Sequence, residues 1–169
     1  MRQRDPNALK YRPKPGRHLA SVKKYIASGR DAATPLYELL KERTPEQSIS
    51  HIKMPTFEEH VAFVEHPGYR VWNLILDGDV VVGSVYLTPR NELGIAIFKA
   101  HQRKGYATFA FNAMNKVWAY MLRKHRNVVG GNTASFLANI NPNNEASIKF
   151  FESLGFVHIQ NTYRYEPLV

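Results

Sequence analysis

The hydrophobic positions change period several times along this chain, and each change marks an element. Leu19 to Ala27 reads as a first strand. Thr34-Pro35 then opens a helix, with Thr34 as the cap and Pro35 in the first helical position, where its missing N–H costs nothing. Leu36, Leu39 and Leu40 give that helix one apolar face through about Arg43, and Thr44-Pro45-Glu46 ends it. A second helix begins at Thr56, because Thr56-x-x-Glu59 forms a capping box. Phe57, Val61, Phe63 and Val64 are its apolar side, and His66-Pro67-Gly68 stops it. Alternation follows. Arg70 to Leu76 and Val80 to Leu87 are strands around Asp77-Gly78-Asp79, a hairpin turn, and Asn91 to Ile97 is the next strand. From Lys104 to about Arg126 the period returns to that of a long amphipathic helix, broken at Gly130-Gly131-Asn132. Ser135 to Ile140 reads as a strand, Asn143 to Leu154 as a helix, and Phe156 to Ile159 and Tyr163 to Tyr165 as two closing strands.

Length and charge refine this picture. At 169 residues the chain is expected to form one domain, with a core that needs no covalent staples. It has no cysteine, which excludes disulfides, thiolate metal sites and cysteine nucleophiles. No apolar run reaches the roughly 20 residues that span a bilayer, and Met1 to Pro6 leads into polar sequence rather than a signal-peptide core. A cytoplasmic protein with no membrane partner is the expectation. The net charge of +9 is concentrated: residues 1–30 hold nine Lys/Arg and one acid, and the rest is nearly neutral. Residues 1–18 are therefore read as a basic arm, flexible or loosely docked, and residues 19–169 as the folded domain. Arg12-Pro13-Lys14-Pro15-Gly16-Arg17 is incompatible with regular helix. Such an arm either is solvated or docks nucleic acid or an acidic protein; its scarcity of aromatics for base stacking favours the solvated tail.

The chemistry centres on Gln102-Arg103-Lys104-Gly105-Tyr106-Ala107. It lies between the apolar run Leu93-Gly94-Ile95-Ala96-Ile97 and the long helix. A strand, a cationic glycine turn and a helix N-terminus make a phosphate cradle: Gly105 permits a tight turn, and the first helical N–H groups lack intrahelical partners. Gln-x-x-Gly-x-Ala in this setting resembles the acetyl-CoA pyrophosphate loop of the GNAT family of N-acetyltransferases. Downstream, Asn144-Glu145-Ala146-Ser147 followed by Phe150-Phe151-Glu152-Ser153-Leu154-Gly155-Phe156 resembles that family's second signature, Asn-x-x-Ser/Ala, an aromatic, then Leu-Gly-Phe. The resemblance covers about residues 20 to 165 and is strongest from Glu92 to Phe156.

The resemblance implies an α/β (α+β) GNAT fold, with a mixed, mostly antiparallel central sheet flanked by helices. It implies acetyl-CoA as co-substrate, no metal, and direct attack of a primary amine on the thioester in a ternary complex. The pantetheine arm would add like a strand to Ile95, Ala96 and Ile97, and the pyrophosphate would lie over Arg103, Lys104, Gly105, Tyr106, Ala107 and Thr108. Asn144 matches the asparagine that contacts the cofactor arm, and it also suits a helix cap. Where many relatives carry a tyrosine acid, this chain has Phe151, leaving Tyr163, Tyr165, Ser147 or water for the leaving thiolate, or a departure that needs no dedicated acid. Where some carry a glutamate base, it has Asn139, which can orient the acceptor or a water or be a plain strand-edge residue. Glu92 is the other catalytic candidate, drawing a proton through water, with an exposed strand start as the alternative. His51, in a segment resembling relatives that modify sugars or nucleotide sugars, is a substrate-contact candidate or a solvent-exposed residue. Three functional readings follow: an acetyltransferase of a small amine, an amino sugar or nucleotide sugar among the candidates; one acting on a protein or nucleic acid docked by the basic arm; or a non-catalytic CoA-binding module. A homodimer stays open.

Overall fold

The computed structural model describes residues 15–44, 53–124 and 135–162. Gly78, with φ of 58°, turns β2 (Val71–Asp77) back into β3 (Val80–Leu87), the hairpin that the Asp-Gly signal predicts. β1 (Arg17–Ser21) pairs with the outer edge of β2, and β4 (Leu93–Ile97) with the outer edge of β3. The order is β1-β2-β3-β4, antiparallel throughout. Among the described residues one parallel bridge, Glu92 to Leu137, adds the mixed character.

Helices cover both faces. On one lie α1 (Val22–Ala27), α2 (Ala33–Lys41) and α3 (Phe57–Glu65), where Val22, Tyr25, Leu36 and Val64 pack with Leu74 and Leu76. On the other lie α4 (Tyr106–Lys124) and α5 (Glu145–Ser153). Tyr106, Ala110, Met114 and Trp118 recur every four residues on α4 and form a buried stripe against Ile75, Val82, Val85 and Leu87.

Several local expectations need correction. The run from Leu19 to Ala27 is a strand only to Ser21; Val22 and Tyr25, both buried, then fall at helical spacing and start α1. β1 begins at Arg17, so Arg17 and His18, the end of the expected arm, lie in the sheet. Thr34 does not cap α2, which begins at Ala33; Asp31 Oδ1 accepts from the Thr34 N–H at 3.1 Å instead. Ser135 to Ile140 meets β4 only at Leu137 and then diverges, so no ladder forms. Phe156 to Ile159 forms no strand, and Val157 and Ile159 are exposed. Tyr163 to Tyr165 lies outside the described residues. The Thr56 box forms as expected, with Glu59 N–H donating to Thr56 Oγ1 and Thr56 N–H to Glu59 Oε2.

α2 and α3 are joined through a buried histidine. The His60 ring lies 5.2 Å from Tyr37, and its Nε2 is 3.2 Å from the Ala33 carbonyl. Burial pushes the imidazole below its ordinary value, and the bond to Ala33 only partly offsets this. The fold therefore holds His60 neutral, while the unfolded chain takes up a proton near about pH 6.5. Stability should be full above that value and decline as pH falls toward the depressed value of the folded state. Thermal melts from about pH 7.5 down to 5.5 should show this decline, and His60→Leu should flatten it over that range.

Candidate functional site

The direction of each peptide in β4 defines an open edge. In a strand, successive residues point their N–H and C=O groups to opposite edges. Leu93 N–H donates to the Leu137 carbonyl at 2.7 Å, Leu137 N–H donates to the Asn91 carbonyl at 2.9 Å, and Phe98 N–H turns inward to Val82. Asn91, Leu93, Ile95 and Ile97 therefore face away from β3. Past Leu137 the neighbouring segment leaves, and among the described residues the backbone groups of Ile95 and Ile97 line an open edge beside the gap. The Ile97 carbonyl there accepts from Gln102 Nε2 at 3.1 Å. The alternate residue, Ala96, faces β3 opposite Ser84, so of the expected trio only the two isoleucines offer backbone groups to a ligand.

At one end of this edge lies the glycine turn. After a 3-10 turn at Lys99–His101, Arg103 and Gly105 take φ of 58° and 78°, both left-handed. A non-glycine residue there is strained, and such residues concentrate at ligand clamps. Alternation of this kind makes a concave cluster of N–H groups suited to an anion. Arg103, Lys104, Gly105 and Thr108 are exposed, Ala107 is partly so, and Tyr106 is buried. Lys104 Nζ donates to the Ala100 carbonyl at 2.9 Å, which folds its ammonium back over the turn. Tyr106 is anchored rather than offered: its hydroxyl donates to Asp77 Oδ2 at 2.6 Å, and that carboxylate holds the phenol above its ordinary value.

At the other end the structure brings Glu92 and Asn139 together. Asn139 Nδ2 donates to Glu92 Oε1 at 3.0 Å, and Thr88 Oγ1 donates to Glu92 Oε2 at the same distance. The bond spans the point where β4 and the following segment part. Glu92 also closes a groove of about 370 Å³ with Phe63, Gly68, Tyr69, Thr88, Pro89 and Arg90. Its aromatic wall is deep: Tyr69 stacks on Tyr86 at 4.3 Å and meets Phe63 and Trp72 edge-on. Burial, with a smaller contribution from Tyr86, pushes the Tyr69 hydroxyl up to about 12, so it stays a proton donor at neutral pH. The Tyr86 ring lies across β4 at Gly94, where any Cβ would collide with it. Arg70 secures the rim, donating to Asn91 Oδ1 and to the Pro89 carbonyl, each at 2.8 Å.

Asn144 Oδ1 accepts from Ser147 N–H at 3.1 Å, so Asn144 caps α5 and keeps its amide N–H₂ for another partner. Phe151 is buried in an aromatic cluster, 5.2 Å from Phe150 and 5.0 Å from Phe156. A hydroxyl added there would point into packed rings. Phe151→Tyr should leave kcat within about tenfold, equivalent to roughly 1.4 kcal/mol of barrier, while lowering Tm. A gain of several hundredfold in steady-state assays would instead show that the absent hydroxyl limits turnover. His51 lies outside the described residues. Among the described residues no cluster of three or more His, Asp or Glu is placed to hold a metal. No helix among them is long and apolar enough to cross a membrane.

Thr88 and the aromatic wall are not evident from the sequence. Their available signal is register: in the Asp-Gly hairpin and the next strand, an aromatic at Tyr86 sits opposite Gly94. Arg17 and Asp77, paired across β1 and β2, carry no sequence signal that links either of them to the glycine turn.

Comparisons with known proteins bear on the family and the fold. A family model described as an acetyltransferase (GNAT) domain matches residues 9–157. Among solved structures, AAC(6')-Iy in complex with a CoA bisubstrate analog superposes with a TM-score of 0.61 at 16% identity, covering 90% of this chain and 99% of that one. A variant of the spermidine N-acetyltransferase SpeG from Vibrio cholerae gives 0.55 at 18% identity, covering 86% and 81%. An integron cassette protein from the V. cholerae mobile metagenome gives 0.59 at 15% identity, covering 91% and 94%. At these identities the likeness concerns the fold. The comparison with curated proteins gives no match.

Proposed function

The chain belongs to the GNAT family of acetyltransferases, and on that premise we propose that it acetylates the primary amine of a small molecule. The family uses acetyl-CoA, which supplies the acyl group as a thioester. The observation that carries the finer reading is the layout of β4. Its free edge runs from an anion-binding turn at one end to a carboxylate-closed groove at the other. The Ile95 and Ile97 backbone groups would pair with the pantetheine amides. The Arg103–Thr108 turn would hold the pyrophosphate on N–H groups and on the cations of Arg103 and Lys104. Asn144, with its free amide N–H₂, is assigned to the cofactor arm.

The groove is assigned to the acceptor. Its volume of about 370 Å³ falls in the range for small ligands. Tyr69 and Phe63 supply flat apolar walls, and Glu92 supplies a negative charge for an incoming ammonium. Glu92 would then take up the amine proton through water. The rise along β4 from Glu92 to Ile95 is about 10 Å, too far for direct contact with a thioester held at that edge. Asn139 orients the Glu92 carboxylate. AAC(6')-Iy and SpeG are named for small amine acceptors, which supports this class; the aromatic wall and Glu92, the one carboxylate that lines the groove among the described residues, favour an acceptor with one ammonium and an apolar body over a polycation.

Calorimetry with CoA, then thiol release across a panel of amino sugars, polyamines and arylalkylamines, tests the reading. CoA should bind, and turnover should rise for monoamines with flat apolar bodies. CoA binding without thiol release for any amine would favour a non-catalytic module, and a clear preference for peptide amines would replace the small-molecule reading.

A further inference from the structure

The sheet edge farthest from β4 reaches the glycine turn through one side chain. Arg17 opens β1 directly opposite Asp77 of β2. Its Nη2 donates to the Lys104 carbonyl at 2.9 Å, across 87 residues of sequence. Its guanidinium carbon stands 4.5 Å from the centre of the Tyr106 ring, whose hydroxyl is held by Asp77. A Cβ on Gly105 would lie 3.3 Å from Arg17 Nη1, so the guanidinium also occupies the space beside Gly105.

Peptide planarity turns this contact into a statement about the cradle. In a trans peptide, C=O and N–H point in opposite directions. Arg17 draws the Lys104 carbonyl toward the sheet end, so the Gly105 N–H of the same peptide is aimed away from it, to the opposite side of the turn. Among the described residues Arg17 supplies the hydrogen bond made to the Lys104 carbonyl, and Gly105, with φ of 78° and no side chain, does little to hold this peptide in its place. We propose that Arg17 is a positioning residue of the cofactor site, presetting the Gly105 N–H for the pyrophosphate without touching the ligand. The proposal rests on the reading that this turn holds the pyrophosphate. It also gives the basic N-terminal segment a specific role at its last arginine.

The test compares Arg17→Gln with wild type, using CoA in calorimetry and acetyl-CoA against S-acetylpantetheine, which lacks the pyrophosphate, in steady-state assays. Loss of the preset donor should weaken CoA binding and raise KM for acetyl-CoA by about 10- to 100-fold. The loss in kcat/KM with acetyl-CoA should exceed that with S-acetylpantetheine at least about tenfold, while KM for the acceptor amine stays close to wild type. Equal losses with both donors would mean that Arg17 merely supports the fold, and unaltered CoA affinity would likewise overturn the proposal. Should Arg17→Gln fail to fold, Arg17→Lys keeps a donor but not the planar stack. It should then show a smaller loss confined to the pyrophosphate-bearing donor, and equal losses would again overturn the idea. Wild-type binding of CoA that Gly105→Glu abolishes and Arg17→Gln leaves intact would defeat this inference alone. Absence of CoA binding in the wild type would defeat the underlying reading as well.

Discussion

Gly105→Glu should reduce CoA affinity by more than about 100-fold, or at least roughly 2.7 kcal/mol. Three effects combine, one of strain and two of charge. The position has φ of 78°, which an L side chain adopts only with strain. The new Cβ would sit 3.3 Å from Arg17 Nη1, so the carboxylate would compete for that guanidinium and release the Lys104 carbonyl. The added negative charge would also oppose a pyrophosphate bound on the same turn. Gly105→Ala separates these causes, since it carries the strain without the charge, and should cost about tenfold or less. Calorimetry on both variants, with far-UV circular dichroism to verify folding, checks the ordering. If Gly105→Glu bound CoA as tightly as wild type, the turn would not be the phosphate site.

The parts legible in the sequence were those set by local rules. The Thr56 box, the Asp77-Gly78 hairpin, the α4 stripe and the glycine turn each depend on a few neighbouring residues, and each is where the pattern puts it. What escaped depends on contacts between distant segments. Val22 to Ala27 reads as strand continuation by β-propensity but buries Val22 and Tyr25 against α2 and α3, and tertiary packing overrides the weak local preference. Ser135 to Ile140 has strand-like alternation, yet a strand needs a partner along its length, and the divergence from β4 removes it. The pairing of Glu92 with Asn139, 47 residues apart, emerges only when the two segments meet. Arg17 looked like one more cation in a basic arm, because nothing in its neighbours indicates that β1 carries it to the cofactor turn.

Glu92→Gln should lower kcat at saturating amine by about 100- to 1000-fold while leaving CoA affinity unchanged. The amide is nearly isosteric. Its oxygen can keep the bond from Thr88 Oγ1, which already accepts from the Arg90 and Glu92 N–H groups, and the Asn139 amide can flip to accept from the new N–H₂ through its Oδ1. Geometry at the groove is thus retained, and the proton-accepting oxygen pair is lost. An alkylamine with an ordinary value near about 10 is almost wholly protonated at neutral pH, so the enzyme must remove a proton before attack. Raising the pH supplies free amine directly, and the variant should therefore recover activity as pH rises while the wild type changes little. Asn139→Ala removes only the orienting bond and should cost about tenfold or less. A variant whose KM for the amine rises while kcat holds would assign Glu92 to binding the ammonium by charge rather than to proton removal. Unchanged kcat and KM would reduce Glu92 to a strut between the β3–β4 loop and the segment that carries Asn139, and the proton would then have to leave by a route that bypasses this carboxylate.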